Sequence, residues 1–263
     1  MPIAKLDRTV ISVSGDAPED FLSGLITNSL NGDITFTALL TPQGKIIADF
    51  FVIKDGARLL IDTPSKFVAD LMKRLKMYKL RAKIDLEICN DLEVYAAWDG
   101  TGDEGHEDPR HPGLGRRMIS GYIETTATAD DYNARRLSLG IPDSARDFET
   151  ASTFPANANM DILSGIDFKK GCFVGQEVVS RMHRKTSVRK RMQSFTATAP
   201  IVPATTLMCG LVNVGTVLSM QGLTGMAMVR EDRLPDAADE GRADITAGDA
   251  IVTLTERAYA PSP

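Results

Sequence analysis

Between Lys45 and Lys54 the chain reads Ile46-Ile47-Ala48-Asp49-Phe50-Phe51-Val52-Ile53, apolar at nearly every position rather than at alternate ones. A strand of that kind needs cover on both faces, so it belongs in the middle of a sheet with packing above and below. It is preceded by a second strand pattern, Ile34 to Thr41, and by the turn Pro42-Gln43-Gly44, which together predict a hairpin. Asp49 is the single charge in this run. A buried carboxylate is costly unless partnered, so Asp49 either serves a ligand or ion pair, or the strand twists there to reach water.

The rest of the chain is laid out around that hairpin. Residues 3–13 suggest a strand pair, and Asp16 before Pro18 and Glu19 predicts a capped helix start ahead of Phe21, Leu22, Leu25 and Ile26. Thr27-Asn28-Ser29 ends that helix, with Asn28 either a C-terminal cap or an amide aimed into a site. A strand at Arg58 to Asp62 leads to Thr63-Pro64 and an amphipathic helix with Phe67, Val68, Leu71, Met72 and Leu75 inside. Residues 82–88 and 92–98 read as another strand pair, and 99–117, with five glycines and two prolines, as a long loop. A strand at 118–124 and a helix from Thr128 to Gly140 follow. Beyond Arg191 short β runs separated by Pro and Gly predict a small antiparallel barrel, which divides the chain into residues 1–190 and 191–263.

With 43% hydrophobic and 25% charged residues the composition is that of an ordinary globular protein, and a net charge of −5 gives no overall attraction for nucleic acid or anionic membrane. The basic run His183 to Arg191 lacks interleaved aromatics and reads as a solvated linker or docking edge, so neither nucleic acid nor membrane is an expected partner. The three cysteines (Cys89, Cys172 and Cys209) form no CxxC pair, and only three histidines are present. That set argues for a reducing compartment and against a zinc site. With no apolar leader at the N-terminus, a cytoplasmic protein is expected.

Asp167 to Arg184 concentrates the reactive residue types: two lysines, Gly171, Cys172, Gly175 and the pair Gln176-Glu177. Val174, Val178, Val179 and Met182 then recur at helical spacing. Cys172 therefore precedes a helix N-terminus beside the ammonium groups of Lys169 and Lys170, a setting that favours thiolate. The other reading is a small apolar residue buried at a loop-to-helix joint.

Lys170-Gly171-Cys172-Phe173-Val174-Gly175-Gln176-Glu177 resembles the K-G-C-[YF]-x-G-Q-E signature of YgfZ-type folate-binding proteins, factors for iron–sulfur cluster assembly and repair related to the aminomethyltransferase (T-protein) of glycine cleavage. Phe21-Leu22 with Thr27-Asn28, Thr41-Pro42-Gln43-Gly44-Lys45, Tyr78-x-Leu80-Arg81, Asp108-Pro109-Arg110, Gly140-Ile141-Pro142 and Phe154-Pro155 with Asn159 are similar to further landmarks of that family. The resemblance implies an α+β, GcvT-like fold of several pieces around a central cavity, closed by the C-terminal β-barrel. It implies tetrahydrofolate or a one-carbon derivative in that cavity, held by Asn28, Asp49, Tyr78, Arg81, Asn157, Gln176 and Glu177, with Cys172 and Lys170 as the functional motif and no resident metal. The implied partners are iron–sulfur assembly proteins or [4Fe–4S] client enzymes. The alternative is a folate-dependent aminomethyltransferase. Against it, Ala48-Asp49 stands where the transferases have an Asp-Asp pair, and Asn157 where many relatives carry Glu. An amide donates as well as accepts, so it makes a weaker clamp for a pterin edge.

Overall fold

The computed structural model describes residues 1–185, 188–234 and 244–256. The basic run from His183 to Arg191 is interrupted at 186–187, which lie outside the described residues.

The hairpin forms as its sequence requires. Strands β3 (Ile34–Leu40) and β4 (Ile46–Asp55) pair antiparallel, and β4 pairs on its other edge with β5 (Arg58–Pro64). β2 (Arg8–Gly15) and β6 (Ile84–Ile88) complete a five-stranded sheet in the order β3-β4-β5-β2-β6. One face is covered by the short helix α1 (Pro18–Ser23) and by α2 (Val68–Lys79), where Leu22, Phe50, Val52, Ile61, Leu71 and Leu75 pack together. The other face carries Phe36, Phe51, Ile53 and Leu60 against Val94, Ala96 and Trp98 of a second sheet and its flank. Covering both faces accounts for the unbroken apolar run of β4. Each large side chain buried there contributes about 1.5–3 kcal/mol.

The second sheet is four-stranded, ordered β1 (Ile3–Lys5), β7 (Glu93–Ala97), β9 (Arg116–Ser120), β8 (His106–Glu107). Two expectations are corrected here. Residues 84–88 and 93–97 do not pair with one another: β6 ends on the five-stranded sheet and β7 sits within the four-stranded one. Each run forms a strand, but a strand pattern does not specify the neighbouring strand. The stretch 99–117 is also not one long loop, because it contributes β8, a 3-10 turn at Pro112–Leu114 and the first residues of β9. The cap assigned to Asp16 is absent as well: Ala17, in left-handed backbone at φ 52°, precedes the helix with no side-chain cap. By contrast α3 (Ala129–Ser138) has a complete capping box between Thr128 and Asp131.

The final strands, β10 (Lys190–Ala197), β11 (Thr206–Cys209), β12 (Val212–Gln221), β13 (Thr224–Arg230), β14 (Ile245–Ala247) and β15 (Ala250–Leu254), close into an antiparallel barrel around Phe195, Leu207, Val217 and Val229. The barrel is docked through ion pairs and amides. Arg191 makes a two-pronged pair with Asp161, at 2.8 and 2.7 Å. Ser219 donates to Asp147, whose carboxylate also takes Arg136 at 2.6 Å.

Between the two sheets lies a buried charge network. Asp62 of β5 accepts Arg117 of β9 twice, at 3.0 and 2.7 Å, and also takes Arg8 of β2. Arg117 reaches on to Asp108 at 3.3 Å, and Arg110 grips Asp108 at 2.9 and 2.7 Å. Burial alone would raise the pKa of Asp62, but Arg117 and Arg8 outweigh it and hold the carboxyl below the usual range; Arg110 and Arg117 do the same for Asp108.

The remaining helix, α4 (Gln176–Lys185), is seated on the hairpin turn. Gly175 has φ +82°, and a Cβ there would stand 2.6 Å from the Thr41 carbonyl oxygen; Gly44, at φ +76°, would press 3.0 Å from Val178 Cβ. Two glycines thus let the turn and the helix start meet backbone to backbone.

Two outcomes follow. Arg117→Met leaves Asp62 and Asp108 short of a partner between apolar sheets and is expected to cost about 3–5 kcal/mol, read by urea unfolding through the fluorescence of the single tryptophan, Trp98, buried in the same layer. Gly175→Ala is expected to cost at least about 1–3 kcal/mol of backbone strain and to open the preceding loop to trypsin at Lys169 and Lys170, measured by limited proteolysis against the parent chain.

Candidate functional site

Residues 167–175 form a loop anchored along most of its length. The backbone N–H of Asp167 donates to Thr27 at 3.1 Å, and its carboxylate accepts Ser29 Oγ and the N–H of Lys169 at 2.8 Å. The bond from Ser29 holds Asp167 below the usual carboxylate range. Lys170 Nζ donates to three carbonyls, of Ser23 at 2.8 Å, Ile26 at 2.6 Å and Asn28 at 3.2 Å. Phe173 is buried in the layer between the sheets, and Phe168 stacks on His183 of α4 at 3.7 Å between ring centres. Amid these anchors Cys172 is exposed, a free thiol, whereas Cys89 is half-buried and Cys209 buried.

That arrangement revises the expected part of Lys170. Its ammonium ties the exit of α1 to the loop, which makes it a positioning residue for Cys172. Asn28 belongs to the same support: Nδ2 donates to the Phe36 and Ser164 carbonyls at 3.0 and 2.7 Å, and Oδ1 accepts the N–H of Ser29. Gln176 and Glu177 open α4, Gln176 half-buried and Glu177 exposed. Asn157 lines a cavity of about 420 Å³ with Lys45, Met182 and Lys190, and its Nδ2 donates to the Lys190 carbonyl at 2.6 Å. Tyr78 packs into the core beneath α2, and Arg81 lies exposed just beyond that helix, on the side of the sheet away from Asp49. Among the described residues, those named from sequence are therefore not gathered in this cavity or in the one between the sheets.

Asp49 shares the inter-sheet face of β4 with Phe51 and Ile53 by strand alternation. It is buried and accepts Ser144 Oγ. Burial pushes its carboxyl up, more than the Ser144 bond and the nearby Arg8 and Arg110 pull it down. It does not twist out to water, and among the described residues it forms no ion pair. Near it, between the sheets, opens a cavity of about 250 Å³ lined by Arg8, Arg110, Arg117, Tyr132, Arg136 and Asp143 among others. Sequence reading missed this cluster, although Asp108-Pro109-Arg110 had been singled out as a landmark and carries part of it.

A tetrahydrofolate here would need a carboxylate to accept from the guanidine-like edge of its pterin and an apolar or aromatic face for the ring. Asp62 and Asp108 are committed to arginines, Asp49 accepts Ser144 Oγ, Asp143 accepts the backbone N–H of Ala145, and Asp7 is exposed at the rim. The aromatic faces are covered too: Arg117 lies 4.0 Å over the Phe51 ring, Arg110 4.9 Å over Phe51 and 5.4 Å over Phe36. At about 250 Å³ the cavity falls below the roughly 300–1,000 Å³ usual for drug-sized ligands. The cavity around Asn157 is lined by no carboxylate, and Lys45 sits 3.7 Å over its Phe154 ring. Among the described residues, neither of these two cavities pairs a free buried carboxylate with room for a pterin.

Comparison with known proteins agrees with the architecture. Residues 189–262 match the family described as the CAF17 C-terminal beta-barrel domain. A protein of Neurospora crassa named mitochondrial iron-sulfur cluster assembly factor IBA57 homolog is 31% identical over 239 residues, covering 75% of this chain and 54% of that protein. A like-named protein of Pyricularia oryzae is 35% identical over 211 residues, with 70% and 54% covered. The chain thus spans about half the length of the curated relatives it matches. The crystal structure of the glycine cleavage system aminomethyltransferase T from Bartonella henselae superposes with a TM-score of 0.73 over 97% of this chain and 85% of that one, at 14% identity, which shows the shared fold. The expectation of a cytoplasmic protein is overturned, because the sequence relatives are named as mitochondrial. Among the described residues no helix is long and apolar enough to cross a membrane. On its barrel, its sequence relatives and its GcvT-like fold, the chain belongs to the CAF17/IBA57 family.

Proposed function

We propose that this chain is an accessory factor in iron–sulfur cluster assembly that presents Cys172 to a partner, either an assembly protein or a [4Fe–4S] client enzyme. The observation that carries the reading is the exposed thiol on a loop fixed by Asp167, Lys170, Phe173 and Gly175. The names of the sequence relatives supply the process.

A [4Fe–4S] cluster takes four ligands, usually thiolates. With one exposed cysteine, this chain offers a single ligand to a cluster that the partner holds. The thiolate of Cys172 would bond to one iron as the cluster, the cargo of the process, passes between proteins. A fixed loop lowers the entropic cost of that encounter, since the thiol is already in place when the partner docks. Lys170 acts through the loop backbone and contributes position.

Aminomethyl transfer is the weaker reading. The likeness to the transferase carries the fold alone at 14% identity. A general base must reach the proton it takes, and Asp49 is buried and already accepts Ser144 Oγ.

Replacing the endogenous protein of a host by this chain and then by Cys172→Ser tests the proposal. [4Fe–4S] enzyme activities are expected to fall to the level of the deletion strain with the variant protein still folded and at normal abundance. Activities that stay at the parent level would show that the thiol is not used.

A further inference from the structure

The inter-sheet cavity has a chemistry of its own, independent of the Cys172 reading. Its walls carry Arg8, Arg110, Arg117 and Arg136 from the interior and Lys66 and Arg146 nearer the surface. Most of this charge is answered within the protein. Arg136 is used completely, by Asn133, Ile141 and Asp147. Arg117 uses all three nitrogens on Asp62 and Asp108. Arg8 and Arg110 differ. Arg8 binds Asp62 through Nε and Nη2, and Arg110 binds Asp108 through Nε and Nη2, so among the described residues the Nη1 group of each donates to no protein acceptor. Both side chains are about nine-tenths buried, and both line the cavity. Neither Nη1 is sealed from solvent, so both are open to an anionic acceptor, which a guanidinium binds through charge-assisted bonds, and the two border one small space.

We infer that this cavity binds a small hydroxylated oxyanion, a sugar phosphate or a hydroxycarboxylate. The anionic oxygens face the Nη1 groups of Arg8 and Arg110, which remain positive at every accessible pH. Arg146 and Lys66 lie on the approach. Lys66 Nζ already donates to the Ala145 carbonyl, and Arg146 stands 3.5 Å from Asp130, so Arg146 is the freer of the two. The carboxylates of Asp7 and Asp143 also line the space, and they set the second requirement. A bare polyanion would be repelled by them, whereas a hydroxyl beside the anionic group donates to one. The volume of about 250 Å³ suits a ligand of that size and excludes a complete folate. The arginines that stack on Phe36 and Phe51 thus remove one ligand class and create donors for another.

The test uses the full chain at fixed ionic strength. Calorimetric titrations with ribose 5-phosphate, citrate, inorganic phosphate and tetrahydrofolate, each against a chloride-matched control, separate the phosphate from the carboxylate source. Saturable one-to-one binding is expected for ribose 5-phosphate or citrate, and none for tetrahydrofolate. Arg146→Gln, at the rim, should keep the parent melting temperature and weaken that binding about tenfold, the loss of one charge-assisted contact. Arg110→Lys, which removes Nη1, should weaken it further, and circular dichroism reports whether that variant folds. Three results overturn the inference: no saturable binding of either hydroxylated anion, binding untouched by Arg146→Gln, or one-to-one binding of tetrahydrofolate displaced by citrate.

Discussion

The bridge from Asp62 through Arg117 to Asp108 is the constraint on which the inter-sheet layer depends. Two antiparallel sheets face each other there across Phe36, Phe51, Val94 and Trp98, and a carboxylate in such a layer is untenable without partners. Meeting that requirement recruits Arg8 from the first sheet, Arg117 from the second and Arg110 from the segment between β8 and β9. Their guanidinium groups then settle over the rings of Phe51 and Phe36. The layer is filled by charge pairs. What remains is a small space edged by the two guanidinium corners that the network leaves over. Packing, electrostatics and ligand class are in this sense one decision.

The exposed thiol is built by different means. Lys170, Asp167 and Asn28 use backbone carbonyls and amides near α1, and Gly175 and Gly44 bring the hairpin turn against α4. None of these contacts touches Cys172 itself. They fix the loop while leaving the sulfur outside, the arrangement suited to a docking contact. A thiol meant for chemistry inside a cavity would be enclosed with its substrate.

Much of this was legible in the sequence. The doubly apolar run of β4, the turn Pro42-Gln43-Gly44, the helix opening at Thr128 and the short β runs after Arg191 each have a local physical cause, and each is found. The motif around Cys172 was legible as a unit, because its glycines and helical period are local too. What could not be read was long-range partnership. Nothing near Asp62 announces that its partner lies 55 residues away at Arg117. Nor does strand alternation reveal that the chain changes sheets between β6 and β7. Polar residues were the hardest to place: Asn28, Asn157 and Lys170 look like ligand groups by type, yet each donates to backbone carbonyls. Tyr78 and Arg81 form a landmark of their own in the sequence and lie on the side of the sheet away from Asp49.

The central claim is that Cys172 is a rigidly displayed thiol that a cluster-bearing partner covers. Timed alkylation with iodoacetamide, read by mass spectrometry on the intact chain, tests it most directly. Alone, the protein should be modified at Cys172 well before Cys89 and Cys209; with a cluster-loaded assembly partner added, modification at Cys172 should slow while the other two keep their rates. Equal labelling of Cys172 with and without the partner, or slower labelling of Cys172 than of Cys89 in the free protein, would contradict the claim.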